Sequence, residues 1–184
     1  MALTPSNMLP LGTIAPKFGL ANSVDNSIVS IDSAKGHNGT LIMFICNHCP
    51  FVKHVNAELS QLAKDYVSKG INCIAISSND ANKYPEDAPD KMKQNAIDND
   101  FIFPYLYDER QEVAKDYDAA CTPDFYVFDN DLRLIYRGQL DDSRPGNGIP
   151  VTGKDLRTAL DDMLQSKPIS EVQKPSIGCN IKWK

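Results

Sequence analysis

Apolar residues fall first into short β-like runs and then into a regular alternation of strand and helix. Gly12 to Phe18 and Ile28 to Ile31 are rich in β-branched or aromatic residues and bounded by polar turns, so both are expected to be strands. Thr40 to Ile45 contains the longest apolar run, Leu41 to Ile45, which fits a strand buried on both faces. Pro50 to Lys69 carries Val52, Val55, Leu59, Leu62 and Tyr66 at alternating intervals of three and four, the spacing of one helix face. Gly70 then ends the helix. Ile71 to Ile76 is a second short apolar strand and completes a β–α–β unit, which requires parallel pairing and a right-handed crossover.

Downstream, Asn79 to Pro89 is a polar link, and Asp90 to Asp98 is expected to be helical. Tyr105 to Tyr107 reads as a short strand, and Glu112 to Tyr117 as a short helix. Phe125 to Phe128 and Leu132 to Tyr136 flank the turn Asp129-Asn130-Asp131 and form the strongest hairpin signal in the chain. A last helix, Gly153 to Gln165, sets Leu156, Leu160 and Leu164 on one face. The tail, 167–184, has no strong pattern but carries Cys179 and the only Trp, Trp183. These elements predict an α/β fold with a central mixed β-sheet flanked by helices on both faces. The 184 residues suit a single domain spanning 1–184.

Composition narrows the function classes. With 42% apolar and 23% charged residues, the chain is of ordinary globular type. A net charge of −5, without a dense run of Lys and Arg, argues against a nucleic-acid partner. The longest apolar run is far short of the roughly 20 residues of a membrane span, so no membrane association is expected. Met1 to Asn7 has neither the basic start nor the apolar core of a signal peptide, which makes a cytoplasmic location the expectation. Neither a dinucleotide-binding glycine pattern nor a phosphate loop occurs, and no organic cofactor is expected.

Five cysteines stand at 46, 49, 73, 121 and 179, an odd count that argues against a disulfide scaffold. Cys46-Asn47-His48-Cys49-Pro50 lies between a strand end and a helix start. Thiol–disulfide exchange needs a thiolate, and the unpaired N–H groups of a helix N-terminus favour negative charge there. Pro50 suits the first helical position, so Cys49 occupies the cap and is expected to be the nucleophile. Cys46, at the end of a buried strand, becomes the resolving partner in a reversible 46–49 disulfide, because burial raises a thiol's pKa. His48, between the two sulfurs, is expected to add positive charge.

Two other readings of the pair stand beside this one. Zinc wants four ligands, and no second Cys-x-x-Cys or His-x-x-x-His is present, so copper or zinc would need the fold to gather His48, His54 or Cys121; no metal ligands are assigned. A pair of buried structural thiols is the other. Cys73, inside an apolar strand, is expected to be inert core, and Cys121 either faces the pair or is structural. Cys179, in a tail with no element to bury it, is the candidate third redox thiol, resolving or regulatory. The polar segment from Arg137 to Gly146 is a candidate binding loop.

The order strand, Cys-x-x-Cys, helix, Thr122-Pro123 and hairpin resembles the thioredoxin superfamily. The start Gly12-Thr13-Ile14-Ala15-Pro16-Lys17-Phe18 is similar to the "G-x-x-A-P-x-F" opening of its redoxin and peroxiredoxin branch. Phe44-Ile45-Cys46-Asn47-His48-Cys49-Pro50-Phe51-Val52 and Gly178-Cys179-Asn180-Ile181-Lys182-Trp183 resemble the core and tail of thioredoxin-like proteins related to alkyl hydroperoxide reductase, the AhpC/TSA type. The resemblance implies a thioredoxin-like fold with a redoxin-type N-terminal extension, and a thiol–disulfide oxidoreductase. Its catalytic residues would be Cys49, Cys46, His48, Thr122 and Pro123, with a cis Thr122–Pro123 bond beside the thiols. The implied partners are protein or small-molecule thiols and disulfides, with a reductant such as thioredoxin.

The same resemblance offers a thiol peroxidase, an antioxidant using Cys49 on peroxides, as an alternative. The peroxiredoxin pattern "P-x-x-x-T-x-x-C" laid over Cys49 puts Ile42 in place of Pro and Cys46 in place of Thr, so disulfide exchange is expected to outrun peroxide turnover. The buried acid that thioredoxins carry before the first cysteine is missing from Leu41 to Ile45, which leaves His48, a water or a residue such as Asp124 to move protons. A copper-delivery or other metal-binding module on the same fold is the rival from a different class.

Overall fold

The computed structural model describes residues 3–184; Met1 and Ala2, the head of the N-terminal stretch considered above, lie outside the described residues. In chain order the strands are β1 (Leu3–Pro5), β2 (Gly19–Asn22), β3 (Ile28–Ser30), β4 (Gly39–Phe44), β5 (Ile71–Ser77) and β6 (Tyr105–Tyr107), then β7 (Cys121–Thr122), β8 (Asp124–Phe128), β9 (Leu134–Gly138) and β10 (Ile177–Asn180). The helices are α1 (Ile31–Ala34), α2 (Pro50–Val67), α3 (Pro89–Asp98), α4 (Glu112–Asp116) and α5 (Lys154–Leu164). Seven strands form a mixed sheet in the order β3-β2-β6-β5-β4-β8-β9, with β4, β5 and β6 parallel and β8 and β9 antiparallel. A second sheet, β1-β10-β7, is antiparallel throughout.

Every residue of β4 is buried, as its unbroken apolar run requires, because the strand is central and covered on both faces. Leu41 and Met43 point into one core with Val52, Leu59 and Leu62 of α2, Met92 of α3 and Leu156 and Leu160 of α5. Ile42 and Phe44 point into the other, with Ile31 of α1, Val113 and Ala114 of α4, and Tyr117. The five positions of α2 read as one face are all buried. Gly70 follows that helix at φ +77°, the left-handed conformation that suits glycine.

Three expectations are corrected. The segment from Gly12 to Phe18 is not a strand: Gly12 sits in a turn at φ +82°, Ile14 makes one isolated bridge to Arg133, and the strand starts at Gly19. Pro16 has no N–H to give a ladder, which keeps this stretch irregular. The second hairpin strand begins at Leu134 rather than Leu132, because Leu132 takes a positive φ to close the turn onto Asp129. The tail is not patternless: β10 lies between β1 and β7. Its pairing is wholly non-local, and four residues, Ile-Gly-Cys-Asn, carry no alternation to reveal it.

Candidate active site

The site is built where β4 hands the chain to α2. Ile45, Cys46 and Asn47 continue past the strand fully or nearly buried, and Pro50 opens the helix, leaving Cys49 at the cap as the sequence predicts. Cys46 and Cys49 are free thiols, both enclosed, at 1% and 0% exposure. The turn is held from below by one carboxylate that sequence reasoning missed. Asp87 Oδ1 accepts the backbone N–H of Asn47 at 2.8 Å and of His48 at 3.2 Å, while Oδ2 lies 2.6 Å from His48 Nδ1 and accepts Asn79 Nδ2 at 2.7 Å. Tyr105 Oη donates to Asn47 Oδ1 at 3.1 Å, and Asn47 Nδ2 donates to the carbonyl of Glu86.

His48 therefore faces Asp87 rather than sitting between the sulfurs, which corrects the expected orientation. Its ring stacks on Tyr84 at 5.2 Å. The hydrogen bond to Asp87 raises its pKa against the opposing effect of burial, and negative charge on Cys49 adds to the rise. Burial pushes Asp87 up, but its bonds from His48 and Asn79 outweigh this and leave the carboxyl below the ordinary 3.8. The two side chains thus form a hydrogen-bonded pair poised beside the thiols.

Across the turn stand Thr122 and Pro123, joined by a cis peptide bond as the resemblance implies. Thr122 touches both thiols: its Oγ1 lies 3.4 Å from Cys46 Sγ, and its carbonyl accepts from Cys49 Sγ at 3.3 Å. Pro123 borders a small groove with Phe51, His54, Phe125, Arg144 and Ile177. Of the proposed binding loop from Arg137 to Gly146, much is interior. Asp141 spends its carboxylate on the N–H groups of Ser143, Thr152 and Gly153, ahead of α5, while Gln139, Leu140 and Asp141 join Ser143, Arg144 and Pro145 in lining the groove.

Cys179 overturns the picture of an unanchored tail thiol. It lies on β10, pairs with Leu3 on one side and Thr122 on the other, is 1% exposed, and brings its sulfur to 2.7 Å from that of Cys49. Gly178 makes the approach possible, since a Cβ there would overlap the carbonyl of Thr122. Beyond it, Lys182 donates its N–H to Asn79 Oδ1 at 2.8 Å, so the tail also buttresses the residue that holds Asp87.

The three sulfurs differ in acidity. Contact with the Cys46 thiol, then with Cys179 and the N–H of Val52 in the first turn of α2, pulls Cys49 down to about 5 against the penalty of burial. Cys46 is driven well above its ordinary value by that same contact, by burial and by the Asp87 charge. Burial, followed by the bond to Cys49, pushes Cys179 up to about 12. Cys73 is buried in β5 and raised to about 12 by burial alone, in keeping with inert core. Cys121 is buried on β7 with its sulfur toward backbone carbonyls. Asp124, offered as a proton carrier, is buried and hydrogen-bonded by Ser6 and Tyr126, and burial raises it to about 6.

The metal reading has a geometric counterpart, because donor atoms of Cys46, His48 and Asp87 lie within 4.8 Å of one another. Both Asp87 oxygens and His48 Nδ1 are already spent on each other and on the turn's N–H groups, so the cluster is a satisfied hydrogen-bond network. No helix among the described residues is long and apolar enough to cross a membrane.

Comparison with known proteins follows the same lines. A profile of the AhpC/TSA family matches residues 11–137. A solved structure of an uncharacterized conserved protein from Geobacillus kaustophilus is 61% identical over 100% of this chain and 97% of its own, with a TM-score of 0.98. A hypothetical protein from Sinorhizobium meliloti is 45% identical over 98% of both chains, with a TM-score of 0.96. The thioredoxin domain of a thiol-disulfide oxidoreductase from Bacteroides vulgatus is 16% identical over 85% of this chain and 99% of its own, at a TM-score of 0.66, which shows a shared thioredoxin-like fold. No curated protein matches.

Proposed function

This chain belongs to the AhpC/TSA family, and from that premise we propose that it is a thiol–disulfide oxidoreductase in which Cys49 attacks and Cys46 resolves. The Cys49 thiolate attacks one sulfur of a substrate disulfide and expels the other as a thiolate. Cys46 then attacks the Cys49 sulfur, releases the second substrate thiol and leaves a 46–49 disulfide. Two electrons pass from the protein to the substrate, and a dithiol reductant of thioredoxin type returns them. His48, held by Asp87, keeps positive charge near the reacting sulfur, and Thr122 steadies both thiols.

The observation that carries this reading is Cys49 at the cap of an 18-residue helix, with its pKa pulled down to about 5. Iodoacetamide rates measured against pH for Cys46→Ser and Cys49→Ser test it. The protein that retains Cys49 is expected to react faster and with the lower midpoint; the reverse order would exchange the two roles.

A peroxidase reading gains support from one fact, the full enclosure of Cys49 between Thr122 and Cys179, which a small peroxide enters with less movement than a protein disulfide. Cys49 would then take an oxygen atom from the peroxide, release water or an alcohol, and be resolved as a sulfenic acid. Competition between hydrogen peroxide and oxidised glutathione for the reduced protein separates the two, and the disulfide is expected to react faster.

A further inference from the structure

Cys49 is enclosed by two neighbours that both carry sulfur, and only one of them belongs to the Cys-x-x-Cys turn. Cys46 is tethered on the far side, with its sulfur 3.4 Å from the hydroxyl of Thr122. Cys179 approaches from the small sheet, and its sulfur stands 2.7 Å from Cys49, close to the roughly 2.05 Å of a disulfide without being bonded as one. The register sets this approach, because Cys179 lies opposite Thr122, whose carbonyl is the other partner of Cys49. Gly178 beside it removes the one side-chain atom that would force the strands apart. The pairing of β10 with β7 thus holds the Cys179 sulfur in contact with that of Cys49.

We propose that Cys179 is a second resolving thiol, so that Cys49 forms a 49–179 disulfide in this protein without any need of Cys46. The proposal rests on the reading of Cys49 as the attacking sulfur. In the first step the Cys49 thiolate attacks a disulfide, forming a mixed disulfide and releasing one thiolate. In the second, the Cys179 sulfur attacks the Cys49 sulfur, the bond to the substrate breaks, and the departing thiolate takes the Cys179 proton. Two protein thiols are oxidised by two electrons, and one substrate disulfide becomes two thiols. The high pKa of Cys179 has burial as its largest cause and the neighbouring Cys49 as its second, and the negative charge at Cys49 is removed once it is in a mixed disulfide. Cys49 is thus served from two elements, the β4–α2 turn and the C-terminal strand.

The decisive measurement is peptide mass mapping under non-reducing conditions after the reduced full-length protein has met oxidised glutathione and been alkylated. In Cys46→Ser, a 49–179 link with full release of glutathione is expected; the wild-type protein is expected to show 49–179 beside 46–49. If Cys46→Ser stalls as a glutathione adduct on Cys49 with Cys179 alkylated, and the wild type yields 46–49 alone, Cys179 is no resolving thiol although Cys49 remains the nucleophile. A wild-type protein in which Cys49 never leaves the thiol state overturns both readings together. Cys46→Ala repeats the experiment with the hydroxyl removed, and the wild-type map stands whether or not either variant folds.

Discussion

Two ends of one four-residue turn place buried thiols under opposite influences. Cys46 leaves the end of β4, beside the charge of Asp87, and every neighbour that matters raises its pKa except the hydroxyl of Thr122. Cys49, three residues on, caps α2, lies against the sulfurs of Cys46 and Cys179 and an N–H of the helix's first turn, and falls to about 5. Exposure does not distinguish them, since neither reaches solvent. Acidity in this turn is divided first by the contact between the two sulfurs, the N–H of Val52 at the start of α2 adds to the fall at Cys49, and burial opposes ionisation of both.

The largest expected effect comes from erasing the acidic end. Cys49→Ser should lower turnover of a disulfide substrate by more than about a thousandfold in a steady-state assay, whereas Cys46→Ser should keep the attack and shift resolution to Cys179, so that the 46–49 link disappears while no lasting adduct remains on Cys49 by mass. Next is Gly178→Ala on the strand that covers Cys49. Forcing a Cβ against the Thr122 carbonyl should cost about 1–3 kcal/mol in denaturant unfolding and, by pushing Cys179 away, slow the 49–179 closure.

Asp87→Asn tests the clamp beneath both ends. It should destabilise the protein by about 1–3 kcal/mol, because buried N–H groups and His48 lose a charged acceptor. An NMR titration should find His48 returning toward the ordinary 6.5. The wild-type pair has a defined pH window. Asp87 contributes stability above its unfolded 3.8 and loses it as pH falls through a lower folded value; His48 contributes below 6.5 and loses it as pH rises through a higher one.

The remaining effect is a slope of stability against pH. The folded pKa of Cys49 lies below the ordinary 9.0, so its stabilising contribution is complete above that value and is lost as pH falls through about 5. Urea midpoints between pH 4 and 9 should rise with pH across this range, and Cys49→Ser should flatten the rise. Cys73→Ala, on β5 in the same core, should leave that profile unchanged because its thiol stays protonated across this range.

The main sheet and the cap were legible in the sequence because their signals are local. An unbroken apolar run identifies β4, three-and-four spacing identifies the inward face of α2, and Pro50 after Cys49 marks the helix start. What stayed hidden depends on contacts between residues far apart in the chain. Asp87 sits 40 residues from Asn47, in a polar link whose composition says nothing of the buried turn it serves. Cys179 is 130 residues from Cys49, on a four-residue strand that pairs, among the described residues, with β1 and β7. The sequence by itself determined the alternation of strand and helix, the two cores and the site of the acidic thiol, since hydrophobic period and helix capping act over a few residues. Only the tertiary structure decided which groups meet that thiol, because the pairing of β10 with β7, the close approach at Gly178 and the burial of Asp87 exist only once distant segments pack together.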